Sequence, residues 1–167
     1  MSIKRHYLRK REIKEVISQF IDRIKVSDSM LLERAKSVEI VKLGRADIYI
    51  FDGEPKIAKI KDKLIPTLLF EDAIHQLPTV TVDMGAIPHI CNGADIMVPG
   101  IVKTENLFSK GDIVVVVDEK NNKAIAIGEA IMDSEELKNA CRGKAIKNLH
   151  YVGDNIWKDM KKLKSGS

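Results

Sequence analysis

The chain has 167 residues, 44% apolar and 31% charged, with a formal charge of +4 and a pI near 9.0. That length holds one ordinary domain or two small ones sharing an interface, and the apolar share supplies a core. Two cysteines exclude a disulfide framework and fit a reducing compartment, and no window approaches the roughly 18 unbroken apolar residues of a membrane span. The N-terminus carries charges with no apolar run behind them, so a secretory signal is not expected and a cytoplasmic protein is. The positive balance leans weakly toward a polyanionic partner.

Residues 1 to about 26 open with Lys4, Arg5, Arg9, Lys10, Arg11 and Lys14. Behind them Ile13, Val16, Ile17, Phe20, Ile21 and Ile24 recur at three- and four-residue spacing, which predicts an amphipathic helix. The basic cluster reads either as a solvated helix face and frayed terminus or as an arm touching RNA phosphate. Val26-Ser27-Asp28-Ser29 is cap chemistry for a second helix, Met30 to Ser37. From Val38 to Phe51 the pattern turns strand-like, and Asp52-Gly53 signals a hairpin into a return strand, Lys56 to Lys61. The alternating lysines of that strand read first as protection of an exposed sheet edge. Pro66-Thr67 is placed at the start of a helix with Leu68, Leu69, Ala73, Ile74 and Leu77 as its stripe, and Pro78 marks the domain boundary. Residues 1–78 are thus expected to form an α+β unit.

Thr79 to Val102 organises the second half. Val80 and Val82 alternate as in a short strand, Asp83 stands at a helix N-cap position, and residues 85–90 make a brief helix closed by Asn92-Gly93. A second strand, Asp95 to Val98, is bent by Pro99-Gly100, and a polar connector, Lys103 to Lys110, follows. Ile113 to Val117 is a β-branched run expected to be buried on both faces. Lys120-Asn121-Asn122-Lys123 turns the chain into Ala124–Ile131, Ser134-Glu135-Glu136 caps a short helix, and Lys144–Tyr151 is the last strand. A closing segment, Asn155 to Lys162, is anchored by Trp157. So many short strands predict a mostly β small barrel over residues 79–160, with residues 161–167 as a disordered tail.

No catalytic constellation emerges. There is no GxxxxGK[ST] loop and no GxGxxG after a strand. His6, His75, His89 and His150 are scattered, and none pairs with a cysteine or acid at metal-ligand spacing. Cys91 stands two residues from His89, and side chains two apart on a helix do not face each other, so Cys91 reads as a small buried hydrophobe. Asp83 and Glu135-Glu136 read as helix-cap groups. No enzyme activity, metal or cofactor is expected.

The residues Val82-Asp83, Gly85-Ala86, Asn92-Gly93-Ala94 and Pro99-Gly100 resemble the opening of a PUA domain, an RNA-binding module. Gly111 to Val116, Ala124 to Ala130 and Gly143-Lys144-Ala145 continue that likeness in order. Adding Ile65-Pro66-Thr67-Leu68, Met84, Ile87, Asp95 to Val98 and Asn148 to Asp154 with Ile156-Trp157, the chain resembles the malignant T-cell amplified sequence family and its single-chain archaeal relatives. The likeness covers most of positions 64–160 and implies a pseudo-barrel preceded by a small α+β domain.

The resemblance implies a non-catalytic, translation-associated protein that binds tRNA or small-subunit rRNA on the small ribosomal subunit, in recycling or reinitiation. A partner like density-regulated protein belongs to the same implication. The alternatives are an accessory subunit delivering RNA to a modification enzyme, and a small enzyme with an unrecognised site. A PUA barrel presents its first helix, the next strand and its last strand as one surface. The candidate RNA contacts are therefore Met84, Gly85, Ala86, His89, Asn92, Gly93, Met97, Pro99, Gly100 and Lys103, with Arg142, Lys144 and Lys147 as a phosphate-contacting rim. Glycines there would let backbone N–H groups approach phosphate or base edges.

Overall fold

The computed structural model describes residues 4–26 and 30–165. The first sheet holds β1 (Lys4–Tyr7), β2 (Val38–Lys42), β3 (Asp47–Phe51), β4 (Glu54–Ile60) and β5 (Lys63–Pro66), in that spatial order and antiparallel throughout. Helices α1 (Lys10–Ile24), α2 (Met30–Glu33) and α3 (Glu71–Ile74) accompany it. The predicted stripe of α1 turns Ile17, Phe20 and Ile24 into the core. Asp52 and Gly53 both take positive φ, 49° and 85°, as a two-residue hairpin turn demands.

The basic opening is in part a strand: β1 pairs with β2, and the Arg5 guanidinium is bonded to Glu39. All four β1 residues are exposed, so no apolar alternation announced it. Pro66 ends strand β5 opposite Ile57 and does not start a helix; at a sheet edge its missing N–H costs no ladder bond. The lysines of β4 lie on an interior strand, because β1 and β5 are the edges, and Lys56 holds its ammonium 4.9 Å from the Phe70 ring centroid. The second helix stops at Glu33, and the cap read at residues 27–29 lies outside the described residues.

The second sheet contains β6 (Thr79–Val82), β7 (Ile96–Met97), β8 (Ile101–Glu105), β9 (Ile113–Asp118), β10 (Ala124–Ala130) and β11 (Lys144–Tyr151). Its order is β7-β11-β10-β9-β6-β8, antiparallel except for the parallel pair β6 and β9. The edge strands β7 and β8 are joined by one 3-10 turn, Val98–Gly100. Two opposite edges tied by three residues force the sheet to curl into a half-barrel. Short helices α4 (Ile87–Ile90) and α5 (Ser134–Asn139) fill its rim.

Both faces of β9 are buried, as its β-branched run predicts, but they face different cores. Val114 and Val116 join Val80, Val82, Ala126 and Ile146 inside the half-barrel. Ile113, Val115 and Val117, with Ile127, join Phe20, Ile24, Leu68 and Leu77 in a core shared with the first sheet. The closing helix α6 (Asn155–Ser165) adds Ile156 and Met160 to that shared core. It runs beyond Lys162 and takes residues 161–165, expected as tail, into a helix; residues 166 and 167 lie outside the described residues.

A polar rim seals the junction. Glu129 on β10 accepts from Arg23 and, at 2.9 Å, from Lys63; Arg23 also donates to the Gly111 carbonyl at 2.8 Å, and Lys25 pairs with Asp112 at 2.7 Å. Partial burial alone would raise the Glu129 carboxyl, but Lys63 and Arg23 outweigh it and hold it below the usual carboxylate range. Beside the rim, His150 is fully buried: its Nε2 accepts the Leu68 N–H at 3.2 Å and its Nδ1 faces Asp154 Oδ2 at 2.9 Å. An Nε2 that accepts leaves Nδ1 to donate to Asp154, so this histidine ties the two halves together.

Candidate nucleic-acid interface

Helix α4 is the hub of the candidate surface, and the turn before it is built by acids. Asp83 Oδ1 accepts the Ala86 N–H at 2.8 Å, and Glu119 Oε1 accepts the Met84 N–H at 3.2 Å. The Asp83 N–H donates to the Gly100 carbonyl at 2.9 Å, and a Cβ placed at Gly100 would lie 3.2 Å from that of Ala86. Close approach at Gly100 therefore locks Met84, Gly85 and Ala86 against Pro99 and Gly100. The chain segments before and after α4 become one patch.

The last strand completes it. Lys144 stands opposite Met97, and the Val98 N–H donates to the Gly143 carbonyl at 2.9 Å, which sets Arg142 beside the 3-10 turn. At the other end of α4, Gly93 has φ of 98°, and a Cβ there would meet Tyr151 Oη at 3.3 Å. Asn148 pins this end: its Nδ2 donates to the carbonyls of Ile90 and Ala94, both at 3.0 Å, and its N–H donates to Asp95 Oδ1 at 2.9 Å. Asp95 in turn pairs with Lys144 at 3.4 Å.

The outward groups are consistent with a contact surface. Met84 and Met97 are 43% and 45% exposed, unusual for large apolar side chains, and His89, Asn92 and Pro99 are exposed with them. Pro99 and Lys103 line a shallow groove of about 450 Å³ with Ile101, Val102, Leu137 and Cys141.

Two of the candidate cations are less well placed. Lys103 is exposed but paired with Glu105 at 3.4 Å. Lys147 lies opposite Glu129, so it leaves the sheet on the face turned toward the first domain, while Asn148 beside it turns to α4. The structure thus brings Arg142 and Lys144 to the patch and sets Lys147 apart. Gly85 lacks a positive φ, and a Cβ on it would make only an ordinary 3.4 Å contact with Asp83. Asp95, Glu119, Asn148 and Tyr151 shape the surface and were not among the sequence candidates. Asp95, Asn148 and Tyr151 stand in the stretches that carry the resemblance, whereas nothing in the sequence marks Glu119.

The arrangement offers little to catalysis. The His150–Asp154 pair has the look of a base and its orienting acid, but Nε2 is occupied by a backbone N–H and reaches no solvent. Burial pushes the Cys91 thiol up, away from thiolate. Among the described residues, no group of three histidine, cysteine or acid side chains could hold a metal ion, and no helix is long and apolar enough to cross a membrane.

The family model described as PUA domain matches residues 78–152, and one described as a domain of unknown function, DUF1947, matches residues 4–70. An uncharacterized protein of Methanocaldococcus jannaschii is 41% identical over 155 residues, 92% of this chain and 95% of its own. Translation machinery-associated protein 20 of Saccharomyces cerevisiae is 36% identical, over 76% of this chain and 75% of its own. Malignant T-cell-amplified sequence 1-B of Xenopus laevis is 28% identical, over 87% of this chain and 85% of its own. A crystal structure of a hypothetical protein from Pyrococcus horikoshii superposes with a TM-score of 0.78 at 32% identity, covering 94% of this chain and 99% of that one. A probable tRNA pseudouridine synthase B of Saccharolobus solfataricus also matches, but this chain spans only 45% of it. The chain belongs to the PUA-domain family that contains translation machinery-associated protein 20 and the malignant T-cell-amplified sequence proteins.

Proposed function

We propose that this protein binds tRNA or small-subunit rRNA on the patch around α4, as a non-catalytic factor of translation initiation, recycling or reinitiation. One observation carries the reading. Three separate segments, residues 84–86, 97–100 and 142–144, meet in one band that presents exposed methionines, backbone and cations together. Unpaired nucleotides are read by stacking and apolar contact beside backbone donors, with cations fixing the phosphates. Lys144 and Arg142 supply the phosphate contacts; Met84, Met97 and His89 supply the faces on which bases rest. The relatives named for the translation machinery support the cellular setting, and a partner like density-regulated protein is part of the proposal.

The test is titration of the purified protein with tRNA, tRNA lacking its 3′ CCA end, and small-subunit rRNA across a salt series. Tight binding that weakens steeply with salt and drops without the CCA end supports an acceptor-end reader. No binding to any of them at low salt overturns the proposal. A Gly85→Ala variant sharpens it: the fold tolerates that Cβ, so melting is unchanged, while RNA affinity is expected to fall about tenfold if phosphate or base edges touch that backbone.

A further inference from the structure

The family's named RNA-binding half does not carry the positive charge. Residues 4–14 hold six lysines and arginines against one acid, a surplus of five where the whole chain has +4, so all other residues together net −1. Within residues 79–152 there are eight lysines and arginines against ten acids, a net of −2. A surface of that balance does not draw in a polyanion by its overall field. Several of its cations are also engaged with acids, as Lys144 is with Asp95 and Lys103 with Glu105.

The missing charge is concentrated and presented. Lys4 is on the exposed edge strand β1, Arg9 sits at the start of α1, and Lys10 and Lys14 lie four apart on its outer face. All four are exposed. Between β1 and the first turn of α1 is an open recess of about 510 Å³ lined by His6, Tyr7, Arg9, Arg11, Glu12 and Glu15. Tyr7 is 65% exposed at its wall, a flat ring beside cations. The acids there are engaged locally: Glu39 with Arg5, Glu15 with Arg11 at 3.7 Å, and Glu12 with the Arg9 N–H at 3.0 Å.

We infer that β1 and the first turns of α1 form a second RNA contact, gripping phosphates on the same RNA that the α4 patch reads. This rests on the RNA-binding reading above and assigns most of its electrostatic affinity to the first domain. Helix α1 spans about 20 Å from Lys10 to Arg23, and Arg23 is bonded across the domain junction. The basic end therefore stands about a helix length from that junction, and its ligand is a polymer rather than a single nucleotide.

The experiment compares wild type with Lys4→Gln/Arg9→Gln/Lys10→Gln/Lys14→Gln, and with the milder Lys10→Gln/Lys14→Gln, in tRNA and rRNA binding across salt. All four side chains are exposed, and circular dichroism melts of both variants against wild type check that the fold is kept. The quadruple variant is expected to bind about 100-fold more weakly near 0.1 M salt, with the slope of log affinity against log salt reduced by about 3, and the double variant by about half that slope. Wild-type affinity and slope in both variants would overturn the inference while leaving the α4 reading intact. Equal competition by poly-glutamate, charge for charge, would overturn it too, by assigning the patch to acidic protein. Failure of wild type itself to bind RNA would sink the underlying reading, a separate result.

Discussion

Gly128 shows how tightly single positions are set. A Cβ there would lie 2.3 Å from Ile146 Cγ2 and 2.8 Å from the Lys147 carbonyl, at the point where β10 and β11 shift register. Gly128→Ala is expected to cost about 2–3 kcal/mol in urea unfolding, because the neighbour on one side is backbone and cannot rotate away. Asp154 offers a pH test. Burial raises its carboxyl, but His150 and the N–H groups of Trp157 and Tyr151 more than compensate, so it ionises below its usual range. A carboxyl lowered on folding stabilises the fold above its unfolded pKa, and that contribution disappears as pH falls through the folded value. Asp154→Asn should therefore cost about 1–3 kcal/mol at pH 7 and progressively less below about pH 4, read from unfolding curves at each pH. A cost independent of pH would mean the carboxylate charge is not what matters.

Among the elements, those with an apolar period were legible and those without were not. The stripe of α1, the Asp52-Gly53 hairpin and the doubly buried β9 follow from spacing, composition and turn chemistry alone. β1 was hidden because Lys4 to Tyr7 are all exposed, and β5 because Pro66 suits a helix start as well as a strand end. The α4 patch was legible through its glycines and its resemblance. The separation of Lys147 from Lys144 depends on register and a bulge, which no spacing encodes. Helix α6 packs its stripe on the first sheet, a partner distant in sequence, so its full length does not show in the local pattern. Met160 on that helix is fully buried, so Met160→Ala is expected to cost about 2–5 kcal/mol, measured by chemical denaturation. A cost near zero would mean α6 is not part of the shared core.

For the whole molecule, one core serves both halves. Ile113, Val115, Val117 and Ile127 leave the half-barrel sheet to pack with Phe20, Ile24, Leu68 and Leu77, under the rim of Arg23, Lys63 and Glu129. Both halves should therefore unfold together, with far-ultraviolet dichroism and Trp157 fluorescence giving coincident transitions. Two separated transitions would contradict a shared core. A shared core would also hold the two proposed RNA contacts, the α4 patch and the basic end of α1, at a fixed spacing.

The measurement that bears most directly on RNA binding at these surfaces is ultraviolet crosslinking of the intact protein to tRNA and to small-subunit rRNA, with the crosslinked peptides mapped. Crosslinks in residues 84–100 and 142–144, accompanied by a second set in residues 4–14, are the expected result. Crosslinks confined to α6 or to the exposed turn at residues 119–123, or none at all, would contradict it.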